Sequence, residues 1–143
     1  MLAIGSDHGG FALKGEVMEH LKSRGVACKD FGTYTPESTD YPIYGRAVGQ
    51  AVASGEYERG ILICGTGIGI SIAANRVPGA RAALCGDCFS AEMAREHNDA
   101  NILCMGARVL GVGLALKIVD TFLDTAFAGG RHARRVKMLD ENG

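Results

Sequence analysis

Short apolar runs alternate with longer amphipathic stretches along this chain, and glycine or proline marks most boundaries between them. Leu2–Ser6 reads as a strand ending in Asp7-His8-Gly9-Gly10. The segment behind it carries Leu13, Val17 and Leu21 at i, i+4 spacing, with Lys14, Glu16, Glu19, Lys22 and Arg24 among the rest. That is an amphipathic helix, and Gly25 stops it. Residues 26–30 form a weaker strand suited to a sheet edge, and 32–42 is a loop with Pro36, Pro42 and many hydroxyls. Tyr44–Ser54 reads as a helix closed by Gly55. The apolar run over 60–64 predicts a buried strand, followed by a helix from about Gly69 to Asn75 and a turn at Pro78-Gly79. Arg81–Cys85 predicts a fourth strand, and Phe89–His97 a helix with Phe89 and Met93 facing inward. Ile102–Met105 predicts a fifth strand. A longer helix near 111–127 places Leu116, Val119, Leu123 and Phe127 on one side, and Gly129-Gly130 precedes a basic tail helix from Arg131.

Strict alternation of strands and helices of these lengths implies a parallel sheet covered on both faces. The expected fold is α/β: a single-domain, doubly wound (Rossmann-like) α/β/α sandwich over 1–143, with a five-stranded parallel sheet and a C-terminal tail over 130–143. Ligands in such folds sit at the carboxyl ends of the strands. Three clusters fall there: Asp7-His8, Cys64 to Gly69, and Arg108. His97-Asn98 instead ends the fourth helix, from which reaching the same crevice is less direct.

The third strand ends on Cys64 and runs into Gly65, Thr66, Gly67, Ile68 and Gly69. Glycines at alternate positions let a backbone close around a ligand with its N–H groups pointing inward, and a following helix adds its positive end. A thiol beside such a nest is expected to have thiolate character. This combination puts a base or nucleophile next to an oxyanion hole. Nucleotide cradles fit poorly. The dinucleotide fingerprint G-x-G-x-x-G needs glycine at position 70, where Ile70 stands, and a P-loop needs a lysine that this region lacks. A single small anionic group suits the nest better.

The other candidates each carry a plainer structural reading. Asp7 at a strand–helix junction is placed to cap the helix, a role compatible with ligand contact. His97 at a helix end suits the negative end of the dipole. Cys85-Gly86-Asp87-Cys88 has redox spacing but no supporting flanks, and no second pair or histidine pair suggests zinc. Arg131 and Arg135, four apart on one helical face, form either a solvated surface or a phosphate grip. Such a tail is able to close over a pocket in its own chain or in a neighbour's.

Composition narrows the classes. A chain of 143 residues, 47% hydrophobic and 22% charged, suits one globular domain. The net charge of −1 gives no electrostatic case for nucleic acid or an anionic membrane. No stretch is long enough to span a bilayer, and the first residues lack a basic signal-peptide region. Five cysteines, an odd number, do not form a secreted disulfide framework, so a cytoplasmic setting with reduced thiols is expected.

Six ordered motifs resemble the ribose-5-phosphate isomerase B family, whose relatives include galactose-6-phosphate isomerase. They are Gly5-Ser6-Asp7-His8-Gly9-Gly10, Thr39-Asp40-Tyr41-Pro42, Ile61–Ser71, His97-Asn98-Asp99, Gly106-Ala107-Arg108-Val109, and Gly129-Gly130-Arg131-His132 followed by Arg135. The resemblance covers nearly the whole chain in order. It implies interconversion of ribose 5-phosphate and ribulose 5-phosphate through an enediolate, with no cofactor and no metal. It implies Cys64 as the base, and His97 as the ring-opening group assisted by Asp7 or Thr66. The amides from Gly65 through Thr66, Gly67, Ile68 and Gly69 hold the enediolate, Tyr41 and Asn98 hold sugar hydroxyls, and His8, Arg108, Arg131 and Arg135 hold the phosphate. It also implies a homodimer or homotetramer with the site between subunits. Two other readings are an isomerase of six-carbon sugars or their phosphates, and a non-catalytic sugar-phosphate binding subunit. The presence of both Cys64 and His97 argues against the latter.

Overall fold

The apolar runs over 2–6, 60–64 and 102–106 become strands because each is bounded by a turn and buried from both sides. In the computed structural model, which describes residues 1–141, five strands form one parallel sheet: β1 (Leu2–Ser6), β2 (Cys28–Asp30), β3 (Gly60–Cys64), β4 (Ala82–Leu84) and β5 (Ile102–Gly106). Their order across the sheet is β2-β1-β3-β5-β4. The helices are α1 (Phe11–Ser23), α2 (Tyr41–Ala53), α3 (Ile68–Asn75), α4 (Cys88–Glu96), α5 (Val112–Asp124) and the tail helix α6 (Arg131–Glu141), with a short 3-10 turn over His8–Gly10. Residues 142 and 143 of the expected tail lie outside the described residues.

Side-chain alternation along the strands builds two cores. Leu2, Ile4, Ile61, Ile63, Leu103 and Met105 face α1, α4 and α5. Ala3, Leu62, Cys64, Ile102 and Cys104 face α2 and α3. The chain therefore winds to one side of β1 through β2 and returns past it to β3. A crevice opens at that reversal, at the carboxyl ends of β1 and β3.

Several boundaries and faces differ from expectation. Helix α2 starts at Tyr41, three residues early, because Asp40 stays extended at the N-cap position and Pro42 fits the first turn, where a missing N–H costs nothing. Phe89 is not inward but 71% exposed, since Asp87 caps α4 through the Ser90 N–H and turns Ala91, Ala94 and Arg95 to the core. Helix α5 ends before Phe127, because Thr125 turns extended. Its fully buried face is Ala115, Ile118, Val119 and Phe122, with Leu116 and Leu123 packed at the margin. Lys14, taken with the polar face of α1, is 2% exposed.

Candidate active site

Four turns meet at the crevice. Asp7 caps the 3-10 turn by accepting the Gly10 N–H at 3.1 Å, and its own N–H donates to the Ile63 carbonyl at 3.3 Å. This ties the 7–10 turn to the end of β3. Gly10 packs so tightly there that a Cβ would sit on the Ile63 carbonyl oxygen. His8 Nδ1 accepts the Thr39 N–H at 3.2 Å, which brings the 32–40 loop alongside. The turn after β5 joins from the other flank: Ala107 N–H donates to the Cys64 carbonyl and Arg108 N–H to the Gly65 carbonyl, both at 2.9 Å.

Cys64 ends β3 with 4% of its surface exposed, and its Sγ accepts the Gly67 N–H at 3.1 Å. Gly67 makes this possible. Its φ of +80° reverses the chain directly before α3, and a Cβ would collide with Leu84 and the Met105 backbone. An amide aimed at sulfur stabilises negative charge there. Ile68 N–H in turn donates to Thr66 Oγ1 at 3.2 Å. Two of the five amides expected to face a ligand are thus engaged inside the loop. The Tyr41 ring covers Gly69 so closely that a Cβ would lie 2.7 Å from its Cε1, and the Arg108 guanidinium lies over Gly65, 3.2 Å from the corresponding virtual atom. Asp7, His8, Tyr41, Cys64 through Gly69 and Arg108 therefore share one crevice.

The remaining candidates do not. Helix α4 begins at the carboxyl end of β4 and returns to the start of β5, so His97 and Asn98 lie at the amino edge of the sheet. The five residues of β5 separate that edge from the Cys64 side by about 13 Å. His97 stacks on His132 of α6, with ring centroids 4.2 Å apart and planes 12° from parallel. Arg131 and Arg135 flank His132 on α6 and belong with this group. Partial desolvation, then the positive fields of His97, Arg131 and Arg135, hold His132 below the ordinary imidazole range. The four expected phosphate ligands are split in one chain: His8 and Arg108 at the carboxyl edge, Arg131 and Arg135 at the amino edge.

Other thiols are shielded. Burial drives Cys104 well above its ordinary value, with Cys64 and Cys85 adding to the effect, and burial followed by the Asp87 charge pushes Cys85 up to about 11. Both Cys85 and Cys88 are free.

Sequence reading missed two groups around these clusters. Lys14 Nζ donates to Asp30 Oδ1 at 2.7 Å and to the Thr33 carbonyl, anchoring the loop that carries Thr39. Its signal was available, since position 14 lies three residues before Val17 and seven before Leu21, on the buried stripe. Asp99, with Arg81 and Arg95, braces the His97-Asn98 turn. Only the final turn geometry reveals that group.

Comparison with known proteins gives a consistent result. The Ribose/Galactose Isomerase family pattern matches residues 2–139. The chain is 52% identical over 138 residues to ribose-5-phosphate isomerase B of Escherichia coli (strain K12), covering 96% of this chain and 93% of that one. The structure of ribose-5-phosphate isomerase B from Clostridium thermocellum superposes with a TM-score of 0.97 at 60% identity, covering 99% of this chain and 95% of that one. The Mycoplasma genitalium enzyme with bound ribulose-5-phosphate gives 0.95 at 40% identity, covering 99% and 94%. The chain belongs to the ribose/galactose isomerase family.

Proposed function

We propose that this chain interconverts D-ribose 5-phosphate and D-ribulose 5-phosphate. The reaction moves one proton between C1 and C2 through an enediolate, and Cys64 is the base that carries it. The observation behind this reading is the Gly67 N–H held 3.1 Å from Cys64 Sγ in the crevice between β1 and β3. A thiolate there takes the proton from C2 of the open-chain aldose, and the negative charge passes to O1. The hydroxyl proton on O2 then moves to O1, and the cysteine returns its proton to C1, leaving the carbonyl at C2. Amides of this loop other than those of Gly67 and Ile68, with the N-terminal end of α3, stabilise the enediolate oxygen, each well-placed donor contributing about 3–4 kcal/mol.

Sugar phosphates are largely cyclic, so a second group must open the ring. An imidazole can both donate and accept a proton, which suits His97 to this step, with Asp7 or Thr66 assisting. Tyr41 and Asn98 hold sugar hydroxyls, and His8, Arg108, Arg131 and Arg135 hold the phosphate. A five-carbon sugar cannot reach from one sheet edge to the other. The reading therefore requires two copies of the chain, with the Cys64 crevice of one facing the His97 and α6 group of the other. Exposed Ile68 and Ile72 on α3, beside the crevice, give such a partner an apolar surface to cover. The chain's five free cysteines suit a reducing, cytoplasmic setting for the reaction.

Cys64→Ala tests the assignment. It is expected to abolish conversion of ribose 5-phosphate while circular dichroism and oligomeric state stay unchanged. Full activity in that variant overturns Cys64 as the base. Comparing kcat/KM for five- and six-carbon phosphates tests the substrate.

A further inference from the structure

Helix α6 carries the phosphate-gripping arginines, yet very little apolar packing holds it. Among its described residues only Val136 is buried. A cavity of about 410 Å³ opens beside its last turn, lined by Arg81, Asn98, Leu139 and Asp140 among others. Polar contacts bridge that gap. Arg81 Nη1 donates to both carboxylate oxygens of Asp140 at 3.2 Å. The same guanidinium reaches Asp99, through Nε to its carbonyl at 3.0 Å and Nη2 to Oδ2 at 3.4 Å.

Asp99 is an unusual anchor. It has a φ of +46°, the only positive value outside glycine among the described residues. Its other carboxylate oxygen accepts Arg95 Nη1 at 2.9 Å, and Arg95 is itself buried, donating also to the carbonyls of Ala100 and Thr125. Asp99 follows His97 and Asn98 directly, so the node that holds Asp140 also fixes their turn. At the other end of α6, His132 stacks on His97, and just before the helix Ala128 N–H donates to the Glu96 carbonyl at 3.1 Å.

We propose that Arg81, Asp99 and Asp140 form a latch that sets the distance between the phosphate grip on α6 and the His97-Asn98 turn, and are thereby positioning residues for the isomerase. The inference rests on the roles proposed above for His97, Arg131 and Arg135. The substrate must be held by its phosphate at one end while its ring oxygen meets His97 at the other. A tail helix free to swing across the cavity holds the phosphate equally well but presents the ring at variable distances. The latch therefore acts on the span between the two groups, not on either alone.

The test uses the full-length chain. Asp140→Ala removes the exposed arm of the latch at a position where alanine favours the helix. Asp99→Asn keeps a side chain that tolerates positive φ while removing the charge. Asp140→Ala is expected to raise KM for ribose 5-phosphate up to about fivefold, the upper end for losing one partly exposed ion pair, and Asp99→Asn, which loses its pairs with both Arg81 and Arg95, by at least as much. Competitive inhibition by inorganic phosphate should weaken less than about twofold, because each arginine remains in place. Asp140→Glu should restore KM. Arg135→Ala serves as the reference, and should weaken both substrate and phosphate. If Arg135→Ala weakens both but the latch variants leave KM unchanged, the latch is refuted and the grip survives. A parallel loss of substrate and phosphate binding in the latch variants also refutes it, since the helix is then merely unfolding. If Arg135→Ala itself has no effect, the phosphate assignment falls, and the latch with it.

Discussion

Replacing Lys14 with methionine tests how a buried charge supports the crevice from behind. The ammonium sits at 2% exposure, bonded to Asp30 Oδ1 at 2.7 Å and to the Thr33 carbonyl, with the Phe11 and Tyr34 rings 5.6 and 5.5 Å away. Methionine fills most of the volume but leaves the Asp30 carboxylate and the Thr33 carbonyl short of a donor. Removing one member of a fully buried pair costs about 3–5 kcal/mol. Here Asp30 is 24% exposed and keeps the Gly32 N–H at 2.8 Å, so water and that amide recover part of the loss. The expected cost is about 2–3 kcal/mol, or a Tm drop of about 6–9 °C for a chain of this size. Denaturant titration of Lys14→Met, Asp30→Asn and the double variant measures it. The double should cost less than the sum of the singles by at least about 1 kcal/mol, because a neutral amide in place of the Asp30 carboxylate no longer needs the ammonium. Strict additivity, or a Lys14→Met cost below about 0.5 kcal/mol, refutes the electrostatic anchor and leaves Lys14 as a greasy stem.

Gly10→Ala should cost about 1–3 kcal/mol and most of the activity, because its Cβ meets the Ile63 carbonyl and must displace the Asp7 turn. Gly86→Ala, which opens onto empty space, is the control and should stay within about 0.5 kcal/mol; equal effects in thermal melts and turnover would refute the packing argument. Asp120→Asn reports on the clamp between α1 and α5. Desolvation raises the Asp120 carboxyl, but bonds from His20 at 2.7 Å and Arg24 at 2.6 Å outweigh it and leave a net depression. A depressed carboxylate stabilises the fold above its unfolded value near ~4 and loses that contribution as pH falls through the folded value. Wild type should therefore melt above Asp120→Asn at pH 7, and the gap should close in acid. A gap that persists in acid would show that the clamp is not ionic.

Much of the fold was legible because the three central strands, β1, β3 and β5, are buried on both faces. Continuous apolar runs such as Ile61 to Ile63 have one comfortable environment, and Gly25 and Gly55 mark where α1 and α2 end. Faces were harder to assign. Phe89 looked like an anchor for α4, but a single cap bond at Asp87 rotates the helix so that alanines pack and phenylalanine points outward. Hydrophobicity alone does not encode that rotation, which depends on how closely α4 must approach the sheet.

At the candidate site, local order and long-range order separate. Cys64 and its glycines are contiguous, so backbone stereochemistry along the chain is enough to place an amide against the sulfur. The sequence alone therefore determined the strand–nest–helix unit, the parallel sheet around it and the family it resembles. The tertiary structure decided which clusters share an edge of the sheet. Parallel strands send every connecting helix back to the amino side, so His97, at the end of α4, is carried away from Cys64. The tertiary structure likewise buried Lys14 and joined Arg81, Asp99 and Asp140 across 59 positions of sequence. Pairings at such separation depend on the packed geometry of several elements at once, which no local pattern of residues records.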